Sequence, residues 1–173
     1  MDAVINVGNK PEAIRRLNHY AERDRGHFDV RFRNVHVCLL NETVGRTIFR
    51  KNDLYVDAST LYELMLPVGG QGSHHYHGLR PSEIVESLNR LDRPDLICKS
   101  YLDRLVLGVH IKKPSERLLA MVIDPSASKK YDVLDKINKL ITIVPKDNLH
   151  GLLRGKDRAD IIYLANPKML GET

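Results

Sequence analysis

His74, His75 and His77 crowd into the stretch Ser73-His74-His75-Tyr76-His77-Gly78, with Gly72 just before it. Imidazole exchanges protons near neutral pH, so it serves as base and acid within one reaction cycle. Glycine admits backbone conformations that expose such rings or bring a ligand close. Zinc would ask for a ligand spacing that this stretch lacks: no cysteine is near and the carboxylates are distant in sequence. Proton transfer is therefore favoured over metal binding. A polar surface loop with idle histidines stays open for any one of the three taken singly.

A second candidate region runs from Lys146 to Arg158 and contains His150, Arg154 and Lys156, with Gly151 and Gly155 between them. Basic side chains on a glycine-containing loop suit phosphate contacts, and arginine grips a phosphate with two parallel bonds. His74, His75, Lys146, Lys156 and Arg158 are thus expected to contact nucleic acid. A solvated charged connection is the competing reading. Gly69-Gly70-Gln71-Gly72-Ser73 lacks the Lys-Ser/Thr ending of a phosphate-binding loop. Ser100 lacks the Gly-x-Ser-x-Gly setting of a hydrolase nucleophile. Its neighbours Lys99 and Tyr101 are phosphate-contact candidates, or simply part of a turn. His36 and His110 fall on strands and face a groove or pack structurally. His19 and His27 carry less information.

The elements that must position these residues follow from periodicity. Residues 11–25 suit a surface helix, with Pro11 in its first turn and Gly26 beyond its end. Residues 28–40 alternate as a strand with a slip at Asn34. Short strands are expected at 44–49 and 54–56. Thr60-x-x-Glu63 has capping-box spacing for a helix whose inner face is Leu61, Leu64 and Met65. The loop 67–78 follows, and Pro81 opens a helix with Ile84, Val85, Leu88 and Leu91 at helical spacing. Leu105, Leu107, Val109 and Ile111 alternate as a strand, then Lys113-Pro114-Ser115-Glu116 turns the chain. Leu118 to Ile123 is continuously apolar, the pattern of a central strand buried on both faces. Asp124-Pro125-Ser126 is expected to end it. A short helix over 132–137, a strand at 140–144 and a last strand at 161–164 complete the series. Helices segregated from a later run of strands imply an α+β fold, with N-terminal helices packed on a mainly antiparallel sheet.

Totals bound the function. The 173 residues fit one domain, and no repeat or low-complexity tract divides them. Lys and Arg outnumber Asp and Glu by 27 to 22, which favours acidic partners such as nucleic acid. Cys38 and Cys98 sit in apolar stretches without a Cys-x-x-Cys pair, as buried thiols in a reducing compartment would. The N-terminus does not read as a signal peptide and no apolar run reaches membrane-spanning length. The expectation is a cytoplasmic protein with no membrane partner.

The order of elements also carries a likeness. His77-Gly78-Leu79-Arg80-Pro81-Ser82-Glu83-Ile84 leads to Leu91-Asp92-Arg93-Pro94-Asp95-Leu96-Ile97. The strands at 105–111 and 118–124 follow, then Ile137-Asn138-Lys139-Leu140-Ile141-Thr142-Ile143-Val144-Pro145 and Ile161-Ile162-Tyr163. This series resembles the phage-associated nuclease-like domains grouped with barnase, EndoU, colicin and RelE-type toxins. The likeness covers roughly residues 59–165 as a nuclease-like core and leaves 1–58 as an N-terminal helix and strands. In it His77 matches the family histidine and Thr142 the late hydroxyl position.

The resemblance implies metal-independent RNA cleavage, with no cofactor, by attack of the ribose 2′-hydroxyl on the adjacent phosphate. It implies His77 as base and His150 as acid, Arg154 and Lys99 stabilising the phosphate, and Thr142 or Tyr163 placing it. A toxin restrained by an antitoxin or immunity protein is the natural biological setting. Three other readings compete: a non-catalytic RNA- or protein-binding module, an ADP-ribosyltransferase and a metal hydrolase. The second lacks any dinucleotide fingerprint, and the third would need chelator-sensitive activity.

Overall fold

Alternate residues of a strand face opposite ways, so Leu105, Leu107, Val109 and Ile111 must share one face and Val106, Gly108 and His110 the other. The computed structural model describes residues 3–22, 34–39, 53–68, 77–129, 132–153 and 160–165. In chain order its elements are β1 (Ala3–Val4), α1 (Lys10–Glu22), β2 (Asn34–Leu39), β3 (Asp53–Asp57), α2 (Ala58–Met65) and α3 (Pro81–Asn89). Then come β4 (Leu96–Lys99), a 3-10 turn (Tyr101–Asp103), β5 (Leu105–Ile111), β6 (Arg117–Lys129), β7 (Asp132–Lys146), α4 (Leu149–Leu153) and β8 (Ile161–Leu164).

The strands form one sheet in the order β1-β2-β3-β7-β6-β5-β4-β8. The β1–β2 and β3–β7 pairs are parallel and the others antiparallel, so the α+β fold with a mainly antiparallel sheet is what the chain adopts. The apolar run 118–123 lies in β6, between β5 and β7, and is central as expected. Leu119, Met121 and Ile123 are buried on one face, while on the other only Ala120 is buried and Leu118 and Val122 are half-buried, so burial on both faces is incomplete.

The two faces are covered unequally. Leu105, Leu107, Val109 and Ile111 join Leu119, Met121, Leu140 and Ile143 in a large core. Ala13 and Leu17 of α1, Leu61 and Leu64 of α2, and Ile84, Val85 and Leu88 of α3 complete that core. These helical positions recur at three to four residues, the spacing that turns one stripe of a helix toward a sheet. On the other face a smaller cluster gathers Leu96, Cys98 and Ala120 under Leu152 of the short helix α4, with Val106, Leu118 and Val144 packed against it. Close approach explains Gly108: a methyl group there would meet the Leu152 Cδ1 at 3.2 Å and the Leu96 Cβ at 3.4 Å.

Several local expectations are corrected. Residues 132–137 are strand, because Ala127 pairs with Ile137, Ser128 with Lys136 and Lys129 with Asp132. Cross-strand bonding along this long hairpin outweighs local propensity, and an isolated helix that short is marginal in any case. Asp124-Pro125-Ser126 interrupts the register without ending β6; the Ser126 amide donates to Asp124 Oδ1 at 2.9 Å, and the strand resumes at Ala127. Proline is tolerated at such a bulge, where no ladder bond is required of it. Helix α2 starts at Ala58, directly from β3, so Thr60 lies inside its first turn rather than at its cap. The capping interaction occurs at α3 instead, where the Arg80 amide donates to Glu83 Oε1 at 3.0 Å. The strand expected over 28–40 is β2 within the described residues, and 44–49 lies outside them.

Candidate functional site

Residues paired across β5, β6 and β7 form rows on each face of the sheet. On the sparsely covered face one row is His110–Leu118–Lys146, and another is Val106–Val122–Thr142. The first row ends in a cleft of about 600 Å3, where the β5–β6 turn stands beside the chain leaving β7. His110, Leu118 and Lys146 line it together with Glu116, Asp147 and Asn148, and with Asp95, Arg117 and Pro145. Opposite Cβ positions on adjacent strands are about 5 Å apart, so His110 and Lys146 flank Leu118 at about 10 Å from each other.

Three hydrogen-bonding arrangements fix the cleft. Glu116 Oε1 lies 3.2 Å from His110 Nε2. Asp95 Oδ2 accepts the backbone N–H of His110 at 2.8 Å, which ties the end of β5 to the residue before β4. Asn148 Oδ1 accepts the Gly151 N–H at 2.8 Å and shapes the rim that leads into α4. The half-buried Lys146 makes no ion pair among the described residues, while Lys112 and Lys113 stand exposed on the adjoining turn.

A buried strut supports the same rim from the helix side. Glu83 of α3 is 1% exposed, and its Oε2 accepts from Arg117 Nη1 at 2.9 Å. Ser115 Oγ lies 3.5 Å from the same oxygen. Burial pushes the Glu83 carboxyl up, but the Arg80 amide and the Arg117 guanidinium outweigh it and hold the group below the ordinary carboxylate value. Helix α3 is thereby pinned to the β5–β6 turn.

The residues singled out from sequence are dispersed. His77 is half-buried in the segment whose next two amides bond to α2: Gly78 N–H to Leu66 O at 2.8 Å and Leu79 N–H to Leu64 O at 2.9 Å. Leu79 enters the large core. His77 therefore belongs to the helical layer, and the sheet lies between it and Thr142. The Thr142 Oγ1 is buried with no hydrogen-bond partner, in the row that ends at Val106. Lys99 is exposed at the end of β4, by the opposite end of β5 from the cleft. Tyr163 is exposed on β8, the outermost strand on that side. His150 lies on α4, which begins at the cleft rim and packs through Leu152 on the sparsely covered face. His74, His75, Arg154, Lys156 and Arg158 lie outside the described residues.

The cleft residues escaped sequence reasoning for a simple reason. Glu116, Arg117, Asp95 and Asn148 form no motif, and only pairing of distant strands assembles them. One signal was legible: His110 is a titratable residue in phase with Val106 and Gly108, away from the apolar face of its strand. Among the described residues no group of three or more His, Cys, Asp or Glu could hold a metal ion. No protein-family model matches the chain, and no curated protein or solved structure matches it.

Proposed function

We propose that the cleft beside His110 binds RNA and cleaves it without a metal, by attack of a ribose 2′-hydroxyl on the adjacent phosphorus. The observation that carries this reading is the His110–Leu118–Lys146 row. It sets an imidazole oriented by Glu116 across one side chain from an ammonium group with no carboxylate partner among the described residues. The basic excess of the chain and the exposed Lys112 and Lys113 on the rim support a polyanionic ligand.

In this reading His110 takes the base role that the resemblance assigned to His77. It removes the 2′-hydroxyl proton as the 2′-oxygen bonds to phosphorus. Lys146 stabilises the charge that builds on the phosphorane oxygens. The bond from phosphorus to the 5′-oxygen breaks, and that oxygen takes a proton from His150, on the helix that starts at the rim. The products are a 2′,3′-cyclic phosphate and a free 5′-hydroxyl. Arg154 follows α4 in sequence and is the natural second cation. An antitoxin or immunity protein would act by covering the cleft.

The test is incubation of the purified chain with total RNA in excess chelator, followed by analysis of the new ends. Cyclic phosphate ends that vanish in His110→Ala and persist in His77→Ala are expected. Intact RNA would sink the proposal. A second reading, RNA binding without cleavage, draws on one observation: His110 is the only imidazole that lines the cleft among the described residues. RNA retained but uncut would establish it.

A further inference from the structure

Among the described residues five large apolar side chains are exposed, and four of them stand at one corner of the sheet. Tyr101 is 74% exposed and Leu102 64%, on the turn that joins β4 to β5. Ile162 is 40% exposed and Tyr163 47%, on the outermost strand β8. The two pairs adjoin, because Ile162 borders the same hollow as Ser100, Asp103 and Arg104, the residues on either side of Tyr101 and Leu102. The fifth, Val68, lies elsewhere, beside Gly78.

A bulge gathers the β8 pair on one face. The register between β4 and β8 slips between Ile97 and Cys98, so Ile161 and Leu164 both pack on the small cluster of Leu96 and Cys98. Tyr163 lies opposite Ile97 of the large core, and Ile162 shares the hollow with Leu105 of that core. Both are therefore on the helix side of the sheet, yet the helices leave them uncovered. The neighbouring turn holds its shape against local preference. The Ser100 amide donates to Arg104 O at 2.8 Å, and inside that loop Leu102 and Asp103 both hold φ of 58°, where non-glycine residues are seldom found. A leucine with a strained backbone and a side chain left in water gains nothing in the isolated chain. Such strain persists where surroundings over-determine it, and it concentrates at functional sites.

We propose that this corner is the contact between two copies of the chain related by a two-fold axis. The four side chains expose roughly 500 Å2 per copy, taking about 150–250 Å2 as the full area of a large apolar residue. A two-fold contact uses the same patch twice, so it buries about 1,000 Å2, the lower bound for a specific interface. Charge fits as well. Asp103 and Arg104 are adjacent and opposite in sign, so a two-fold can set each against its counterpart in the other copy. Other occupants fit less well. The bulge at Ile162 interrupts the regular ladder that an added peptide strand needs. The exposed Asp103 repels an anionic lipid surface. Six residue steps of β5 separate Arg104 from His110, about 20 Å at the rise of a strand, so the contact leaves the cleft clear. It stands or falls apart from RNA cleavage.

Analytical ultracentrifugation of the full chain between about 1 and 200 μM tests the contact. A monomer–dimer equilibrium in the micromolar range is expected for an interface of this size. Tyr101→Glu and Tyr163→Glu should each weaken it about tenfold or more, and Val68→Glu should leave it unchanged. All three positions are exposed, so the charge is tolerated by the fold, and Leu102→Glu replaces either tyrosine variant whose circular dichroism departs from wild type. A chain that stays monomeric throughout the range overturns the proposal. Co-sedimentation of that monomer with phosphatidylserine vesicles would then give the corner to a lipid surface, and saturable binding of an extended apolar peptide would give it to a peptide strand. A dimer that survives the tyrosine and Leu102 variants unchanged also overturns it, as does one that only Val68→Glu dissociates.

Discussion

The two faces of one strand serve opposite ends. Toward the helices, β5 buries Leu105, Leu107, Val109 and Ile111 in a core that unites α1, α2 and α3. On its other face the same strand offers Val106, Gly108 and His110, covered in part by one short helix. Stability is concentrated on the first face, and polar chemistry becomes possible on the second because less packing there must be preserved. A residue's role in this protein follows from its phase on the strand more than from its type.

The largest effects should separate the faces. Leu107 is fully buried, and Leu107→Ala is expected to cost about 2–5 kcal/mol in urea unfolding through lost burial and a cavity. His110→Ala should change stability by roughly 0.5 kcal/mol or less, yet reduce RNA cleavage by about 10²–10⁴-fold. Equal stability losses in the two variants would erase the distinction. Gly108→Val probes the contact between the polar-facing row and α4. The new side chain meets Leu152 and Leu96, so destabilisation of about 1–3 kcal/mol is expected, eased when Leu152 is cut to Ala.

The strut from α3 to the cleft rim sharpens the comparison, since it joins the helical layer to the turn that shapes the site. Glu83→Gln removes the charge that meets Arg117, and a loss of about 1–2 kcal/mol is expected, less than for a fully buried pair because Arg117 is 33% exposed. Its pH dependence has a definite sign. The folded carboxyl is held below its unfolded value, so its contribution is complete above about pH 4.3 and is lost as pH falls through the lower folded value. Thermal melts of wild type and Glu83→Gln should converge as the buffer is taken from pH 5 toward pH 2. The smallest effect is expected at Lys10–Glu86, a 2.7 Å pair between α1 and α3 whose lysine is 52% exposed. Its removal by Lys10→Gln should cost about 0–1 kcal/mol, and less in high salt.

Much of the fold was legible in the chain. The alternation in 105–111 and the Pro81 helix with its spaced Ile84, Val85 and Leu88 each report a local period that burial reproduces, and the unbroken apolar run 118–123 marks a central strand. The stretch 132–137 was not legible, because its strand state comes from pairing with 127–129 and not from its own pattern. The site was legible only in fragments. Lys146 and His150 stood out as basic residues, and His110 as a strand histidine of second rank.

The sequence by itself determined the class of fold, the apolar phase of each central strand and the basic balance of the surface. Periodicity and composition are local or additive, so a single chain displays them directly. Only the tertiary structure decided that His77 and Thr142 lie on opposite sides of the sheet. The same holds for Glu83 meeting Arg117 across 34 positions and for His110 and Lys146 sharing a row. Side and register depend on which strands pair and which face each connection crosses. Those choices minimise the free energy of the whole core, and no single segment encodes them.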